Sequence, residues 1–210
     1  MAIHAGALFL DEVGEFPPGV LETLREPLEE GAVTISRAGS SATYPARFTL
    51  VAAQNPCPCG RWGDPEAECT CLPDAIARYR ARISGPLLDR IDMRVAVPRV
   101  PYRELRDRRE RETSAAVRCR VERARARMRG RFAGTRRRCN AEMTKREVER
   151  YCELDASGER LVSAAVSARR ISARGYHRLL RVARTVADLA EAETIASEHA
   201  AVALLLRGEA

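Results

Sequence analysis

Asp11 and Glu12 follow a short apolar run, Ala7 to Leu10, and are side chains that could act on a phosphate. A carboxylate at the end of a buried strand can hold Mg²⁺, and a neighbouring carboxylate can orient and deprotonate an attacking water. Many buried strands also end in an acidic pair that only caps the next helix. The pair by itself therefore leaves a magnesium–nucleotide site and a helix cap as alternatives.

Asn55 is a second polar residue just beyond an apolar run, which here ends in Val51, Ala52 and Ala53. If that run is the neighbouring strand of the same sheet, the Asn55 amide lies beside the acidic pair. There it can hydrogen-bond the attacking water or a phosphate oxygen. The simpler interpretation is an Asx turn into the following proline. The two strand ends together favour a nucleotide site.

Four cysteines occupy one short loop in the pattern C-x-C, nine intervening residues, C-x-C; they are Cys57, Cys59, Cys69 and Cys71. Four thiolates in such a loop can form a tetrahedral Zn²⁺ site, although the spacing is tighter than the usual C-x₂₋₄-C. Four reduced thiols or two disulfides are the alternatives. A cytoplasmic location, which we expect, disfavours disulfides.

The composition is that of a folded protein with one or two domains: 210 residues, of which 45% are hydrophobic and 31% are charged. The longest uncharged apolar run, 200–206, is far shorter than the roughly 20 residues of a membrane span. No basic segment followed by an apolar core opens the sequence. We therefore expect neither membrane insertion nor secretion.

The basic residues are unusual in kind and in distribution. Lysine occurs once, at Lys145, and the other 35 of the 36 basic residues are arginine. A phosphate-binding G-x-x-x-x-G-K-[ST] loop needs a lysine after a glycine, so the sequence contains no such loop.

The charge differs between the two halves of the sequence. Residues 1–100 have a net charge of −3 and residues 101–210 of +10, which indicates two units with different partners. The basic half could attract nucleic acid, or it could be a solvated helical surface.

Periodicity predicts β structure in the first half and helices in the second. In the first half we expect a strand over 7–10, a helix over 19–30, a hairpin over 33–50 whose second arm runs on to 53, a short helix over 73–82 and a third strand over 93–97. In the second half we expect helices over 104–129, 144–152, 158–169, 172–192 and 195–206. Thr144, with Glu147 three residues on, is typical of a helix N-cap.

Five segments carry a resemblance: HAGALFLDE at 4–12, LREPLEEG at 24–31, VAAQNPCPCG at 51–60, ISGPLLDRID at 83–92 and SARGYHRLLRVARTVADL at 172–189. Together they closely resemble the magnesium-chelatase-like AAA+ ATPases of the competence protein ComM (YifB) family. The last segment resembles the C-terminal helical domain of that family. The resemblance covers nearly the whole chain.

The resemblance implies an α/β fold: a partial AAA+ P-loop NTPase core over 1–100, with a parallel sheet and an inserted β-hairpin, followed by an all-α helical lid domain over 101–210. The family places its nucleotide-binding loop and a further domain before the first strand. On this comparison the chain corresponds to the C-terminal part of a longer protein, truncated before the Walker B strand. The hairpin over 33–50 resembles the pre-sensor-1 insertion of related ring ATPases.

The resemblance also assigns roles to residues. Asp11 and Glu12 match the Walker B pair, with Asp11 on Mg²⁺ and Glu12 activating water, and Asn55 matches sensor 1. Arg90 matches the arginine finger inserted into a neighbouring subunit's site, and Arg174 matches sensor 2 on the lid. Without the resemblance, Arg90 would be interpreted as a surface ion-pair partner of Asp89 or Asp92, and Arg174 as one arginine among many.

The function implied is that of an ATP-driven hydrolase that assembles as a hexameric ring and moves branched DNA intermediates during competence and recombination. Its cofactors would be ATP and Mg²⁺, with Zn²⁺ as a further candidate at the cysteines. Two alternatives stay open. One is a metal-chelatase-type motor subunit, and the other is an inactive fragment that lacks the phosphate-binding loop.

Overall fold

The computed structural model describes residues 6–102, 106, 112–169 and 171–208, and it divides into two compact units, one ending at Ile91 and the other beginning at Asp92. The expected helix start at residue 104 falls outside the described residues. None of the helices in the described ranges combines the length and the apolar character needed to cross a membrane.

A two-stranded parallel sheet organises the first unit. Strand β1 (Gly6–Leu10) pairs with β4 (Phe48–Ala52), and the register runs from Gly6 opposite Phe48 to Leu10 opposite Ala52. Parallel strands require a long crossover, which here contains two helices and a hairpin. The predicted α/β class is confirmed at this level: a small parallel sheet combined with many helices, consistent with a partial AAA+-like fold.

The crossover begins with two short helices, α1 (Pro18–Glu22) and α2 (Arg25–Glu30), so the single helix predicted over 19–30 is wrong. Pro27 has no amide hydrogen with which to bond the carbonyl of Thr23, four residues earlier, and the helix breaks there. The Thr23 hydroxyl instead donates to the Val20 carbonyl at 2.7 Å.

The hairpin comprises β2 (Ala32–Arg37) and β3 (Ser40–Pro45), which are antiparallel. The prediction that its second arm extends over 46–53 is wrong, because Phe48–Ala52 belongs to the other sheet. The side chains of β3 are exposed throughout and carry no apolar alternation, so the pattern concealed this strand. Gly39, at φ +82°, makes the tight turn between the arms.

The remaining helices of the first unit are α3 (Pro73–Arg80) and α4 (Gly85–Leu88), which places the short helix predicted over 73–82 correctly. A small apolar core lies between the crossover and these helices. Its buried members are Val13, Leu21, Ile83 and Leu87.

The second unit is helical. Besides a 3₁₀ helix, Asn140–Glu142, the described residues form five α-helices of seven or more residues: α5 (Ser114–Arg131), α6 (Lys145–Tyr151), α7 (Ala156–Arg169), α8 (Ala173–Leu189) and α9 (Ser197–Arg207). Helix α8 is central, since Leu179, Ala183 and Ala187 are almost entirely buried.

The third strand predicted over 93–97 is wrong. Residues 93–97 form no strand in the structure, and Val95 and Val97 are exposed. Valines at the alternate positions 95 and 97 imitate a strand, but a strand also needs a neighbour with a row of hydrogen-bonding groups. The Arg94 amide finds one such acceptor, the Leu206 carbonyl at 2.5 Å.

Candidate functional site

The two parallel strands end side by side, and their pairing continues for a few residues beyond the sheet. The Ala53 amide donates to the Leu10 carbonyl and the Val13 amide donates to the Ala53 carbonyl, each at 2.9 Å. The segments that carry Asp11, Glu12 and Asn55 therefore leave the sheet at one carboxyl edge. All three residues are exposed, so their polar groups are accessible to a ligand.

The turn after β1 holds Glu12 in a left-handed backbone conformation, at φ 48° and ψ 47°. Its amide donates to Asp11 Oδ1 at 3.0 Å. A residue other than glycine in this region costs on the order of 1 kcal/mol, and such strain clusters at functional sites. The turn presents two adjacent carboxylates on a constrained backbone, which is a suitable donor set for a hard cation such as Mg²⁺.

Tyr79 on α3 is a component of this edge that the sequence analysis did not identify. It is only 4% exposed, and its ring lies directly against Gly14. The backbone amide of Asn55 lies close to the Tyr79 hydroxyl. Burial raises the pKa of Tyr79, and the nearby charge of Glu15 raises it further. The spacing of Ile76, Tyr79 and Ile83 at i, i+3 and i+7 is the signal that predicts a buried face here.

The four loop cysteines converge on one point. The Sγ of Cys57 lies 3.4 Å from that of Cys59 and 3.7 Å from that of Cys69, and Cys59 and Cys69 are 3.6 Å apart. All four sulfurs, including that of Cys71, lie within 4.8 Å of one another. The cysteines are free, so the disulfide alternative is not what the structure shows. This geometry can hold a metal ion.

Backbone hydrogen bonds and burial shift the pKa values of the thiols in this cluster. The backbone amide of Arg61 lowers the pKa of Cys59 to about 6, which favours a thiolate at neutral pH. Burial raises the pKa of Cys71 to about 12. The Trp62 amide donates to Cys57 Sγ at 3.3 Å. A bound cation would compensate the charge of the thiolates that such a cluster concentrates.

Arg90 lies in the first unit, two residues after the end of α4, with its side chain 8% exposed. Its guanidinium forms an ion pair with Glu29 on α2, and its Nη1 donates to the Pro86 carbonyl at 2.6 Å. Asp92, one of the aspartates considered as its partner, forms an ion pair with Arg178 at 2.9 Å. Arg90 is thus an internal residue of the unit in this structure.

Arg174 is exposed in the first turn of α8 and belongs to the second unit. Ser172 caps that helix by accepting a hydrogen bond from the Gly175 amide at 3.1 Å. The structure therefore brings together the segments of Asp11, Glu12 and Asn55 in the first unit. In the same unit Arg90 pairs with Glu29, whereas Arg174 belongs to the second unit.

A buried polar network in the second unit was also missed by the sequence analysis. Asp188 is fully buried, accepts two hydrogen bonds from Arg131 at 2.6 and 2.7 Å and one from Asn140 at 2.8 Å, and lies 3.2 Å from Arg184. Burial alone would raise the pKa of Asp188, but the hydrogen bonds from Arg131 and Asn140 lower it. An aspartate within the apolar face of α8 was the available signal.

Two family models match the chain in sequence order. The model described as magnesium chelatase, subunit ChlI, matches residues 1–105, and that of the ChlI C-terminal region matches residues 111–207. This chain belongs to the magnesium chelatase ChlI family. Within that family, the predicted membership of the ComM (YifB) group is confirmed by the relatives.

Competence protein ComM of Haemophilus influenzae is 42% identical over 200 residues, which are 95% of this chain and 38% of that protein. Uncharacterized protein YifB of Salmonella typhimurium is 40% identical over 197 residues, 93% of this chain and 38% of that protein. YifB of Escherichia coli is 39% identical over the same number of residues. The chain spans about two fifths of the length of these relatives.

Proposed function

We propose that this chain supplies the catalytic edge and the helical lid of an ATP-hydrolysing AAA+ ring motor that acts on DNA. The observation that carries the proposal is the shared carboxyl edge of β1 and β4, where the Asp11–Glu12 turn and Asn55 leave the sheet together. Ligands of α/β proteins bind at the carboxyl ends of parallel strands. The membership of the magnesium chelatase ChlI family supports the same assignment.

In this proposal each residue of the edge has one task. The exposed Asp11 carboxylate would hold Mg²⁺, and Glu12 would orient a water and accept its proton. Asn55 would donate a hydrogen bond to that water or to a phosphate oxygen. Mg²⁺, when bound, neutralises charge on the phosphate oxygens. Zn²⁺ is the ion that we propose for the cysteine cluster.

The edge is tested by Glu12→Gln. The sequence contains no phosphate-binding loop, so two proteins are compared. One is the full chain by itself, and the other is the full chain joined to a phosphate-loop segment from a family member. Nucleotide binding and ATP hydrolysis are measured on both. We expect the joined protein to hydrolyse ATP and its Glu12→Gln variant to bind ATP but lose at least 100-fold in turnover. Unchanged turnover in the variant contradicts the role of Glu12. A joined protein that binds no nucleotide supports the inactive-fragment interpretation.

Arg90 would serve the site of a neighbouring subunit in a hexameric ring, where a guanidinium neutralises charge on the transferred phosphoryl group. To contact the nucleotide of the neighbouring subunit, the Arg90 guanidinium must first break its ion pair with Glu29. Mixing tests this arrangement. Chains with Glu12→Gln and chains with Arg90→Ala are each expected to be inactive, and mixed rings recover activity because some sites receive an intact residue from each side. Activity in rings of Arg90→Ala alone contradicts the assignment.

DNA is the proposed substrate because α5 carries an arginine surface. Arg118 and Arg125 are seven residues apart on one exposed helix face, and neither has an ion-pair or hydrogen-bond partner among the residues that the structure describes. Arg120, in contrast, is paired with Glu112 at 2.6 Å. Arginines without acidic partners are the ones that can neutralise phosphates.

The DNA proposal is tested by titrating binding against salt concentration. Replacing Arg118 and Arg125 together with alanine should weaken binding to any sequence and lower the salt slope by about 2. The matched control is Arg120→Ala, which removes a paired arginine from the same helix. Binding that does not respond to salt contradicts the proposal.

A second candidate is a metal-chelatase-type motor subunit, which the description of the matching family models favours. Both candidates hydrolyse ATP, but they differ in their response to DNA. Stimulation of ATP hydrolysis by branched DNA supports the DNA motor. Hydrolysis that is insensitive to DNA supports the chelatase-type subunit.

A further inference from the structure

The cysteine cluster has the dimensions of a closed tetrathiolate site. With a Zn–S bond of about 2.3 Å, tetrahedral ligands stand about 3.8 Å apart. The three closest separations here are 3.4, 3.6 and 3.7 Å, and all four sulfurs lie within 4.8 Å of one another. Four sulfur ligands, one of them fully buried, are typical of a structural zinc site rather than a catalytic one with an open position.

The cluster joins two elements of the candidate site. Cys57 stands two residues after Asn55 and five residues after the end of β4, and Cys71 stands two residues before Pro73, the first residue of α3. An ion bound by both pairs of cysteines would therefore tie the carboxyl end of β4 to the start of α3.

The far end of α3 is held to the same loop. The guanidinium of Arg80 stacks on the Trp62 ring, 3.9 Å from its centroid, and its Nε donates to the Pro56 carbonyl at 3.4 Å. Trp62 in turn donates its backbone amide to Cys57 Sγ at 3.3 Å. The cluster and the cation–π contact thus fix both ends of α3 relative to the loop.

Helix α3 then contacts the catalytic edge directly. Tyr79 packs against Gly14, and its hydroxyl lies close to the backbone amide of Asn55. Just beyond the helix, Arg82 Nη1 donates to the Gly14 carbonyl at 2.7 Å and to Glu15 at 3.0 Å. Gly14 lies two residues after Glu12, so these contacts hold the strained turn from its C-terminal side.

We infer that Cys57, Cys59, Cys69 and Cys71 bind one Zn²⁺ and that this ion positions the catalytic edge, acting through α3 and Tyr79 on Asn55 and on the turn that carries Glu12. The cysteines and Tyr79 are positioning residues, since in this inference they act through Asn55 and the turn and not on the nucleotide itself. Only the consequence for ATP hydrolysis rests on the proposed function. Metal binding and the ordering of the edge are independent of it.

The experiment uses the full chain purified without chelator. Metal analysis should find one zinc per chain, and the Cys57→Ser/Cys71→Ser variant should contain less than a tenth of this. Hydrogen exchange should accelerate at least tenfold at the Val13, Ala53 and Asn55 amides when a chelator removes the metal. Amides of α8 in the second unit should keep their protection, which separates loss of the edge from global unfolding. Fluorescence of Trp62, the single tryptophan, should shift with the same metal dependence.

Two further variants test whether the effect belongs to the cluster and whether Tyr79 transmits it. Cys119→Ser changes an exposed cysteine outside the cluster, and it should leave the zinc content and the exchange pattern unchanged. Tyr79→Phe removes the hydroxyl beside the Asn55 amide, so it should retain zinc and yet accelerate exchange at Asn55.

A chain that contains no zinc and takes up none when zinc alone is added overturns the inference. So does a chain that binds one zinc but shows the same edge exchange after its removal. If the double serine variant fails to fold, titration of the unaltered chain with chelator gives the same readout. A chain that never binds nucleotide refutes the proposed function and leaves these measurements valid.

Discussion

Arg90 and Glu29 form an ion pair inside the first unit, with the arginine side chain 8% exposed and the glutamate side chain 34% exposed. The pair links the end of α4 to α2, two elements that are far apart in the sequence. An arginine held in this way is preorganised by its own subunit. Its proposed action on a neighbouring subunit therefore requires the pair to open.

Glu29→Gln should destabilise the first unit, because it removes the negative charge beside a largely buried guanidinium. We expect the free energy of unfolding to fall by about 1–3 kcal/mol, less than for a fully buried pair because Glu29 is partly solvated. Urea denaturation measures this change. Glu30→Gln, at the exposed neighbouring position on α2, is the control and should change stability by less than about 0.5 kcal/mol. Equal effects of both variants would show that the pair contributes nothing.

Asp188→Asn should destabilise the second unit strongly, by about 3–5 kcal/mol, because the arginines around it would lose their buried counter-charge. Thermal or urea unfolding measures the loss. Glu193→Gln is the control, since that side chain is 94% exposed and lies 4.0 Å from Arg127. A loss no larger than that of the control would contradict the importance of the network.

The Asp188 contribution should also depend on pH with a definite sign. The pKa of Asp188 is lowered in the folded state, since the hydrogen bonds from Arg131 and Asn140 outweigh the effect of burial. The stabilisation by Asp188 is therefore fully present at pH values above the pKa that its carboxyl has in the unfolded chain, about 3.9. It is lost as the pH falls through the lower pKa that the carboxyl has in the folded chain. The stability difference between the unaltered chain and Asp188→Asn should be constant from pH 7 to about 5 and shrink below about pH 4.

Gly14→Ala should destabilise the first unit because the new methyl group would stand 2.9 Å from Tyr79 Cζ. Overpacking of this kind costs about 1–3 kcal/mol. Gly19→Ala is the matched control, since no atom lies within 4 Å of the added carbon and alanine favours the helix. The two changes should shift the unfolding midpoint in opposite directions. A Tyr79→Leu change added to Gly14→Ala should recover part of the loss, and no recovery would contradict the assigned clash.

Thr144→Ala should remove the capping box of α6. The Thr144 hydroxyl accepts from the Glu147 amide, and the Glu147 carboxylate accepts from the Thr144 amide at 2.7 Å. We expect a loss of about 1 kcal/mol in the thermal unfolding of the second unit. Thr113→Ala removes the N-cap of α5, where the first turns are exposed, and should cost less. A larger loss at Thr113 would contradict this ranking.

Local signals were sufficient for much of the candidate site. The capping box at Thr144, the strand before Asp11 and the four-cysteine loop were all visible as short patterns of residue type and spacing. Each of these features depends on residues that lie within a few positions of one another or within one loop. Interactions between residues close in the sequence are therefore enough to determine them. The break in the helix at Thr23 is local as well, and Pro27 was the overlooked signal.

The sequence by itself determined the family, the α/β class, and the residues that end the two parallel strands. Only the tertiary structure decided that Phe48–Ala52 pairs with β1 and not with the hairpin, that Arg90 is held by Glu29, and that Tyr79 bridges Gly14 and Asn55. The physical reason is that these choices join residues tens of positions apart. Their free energies come from burial and from charge or hydrogen-bond partners that exist only once the chain has folded.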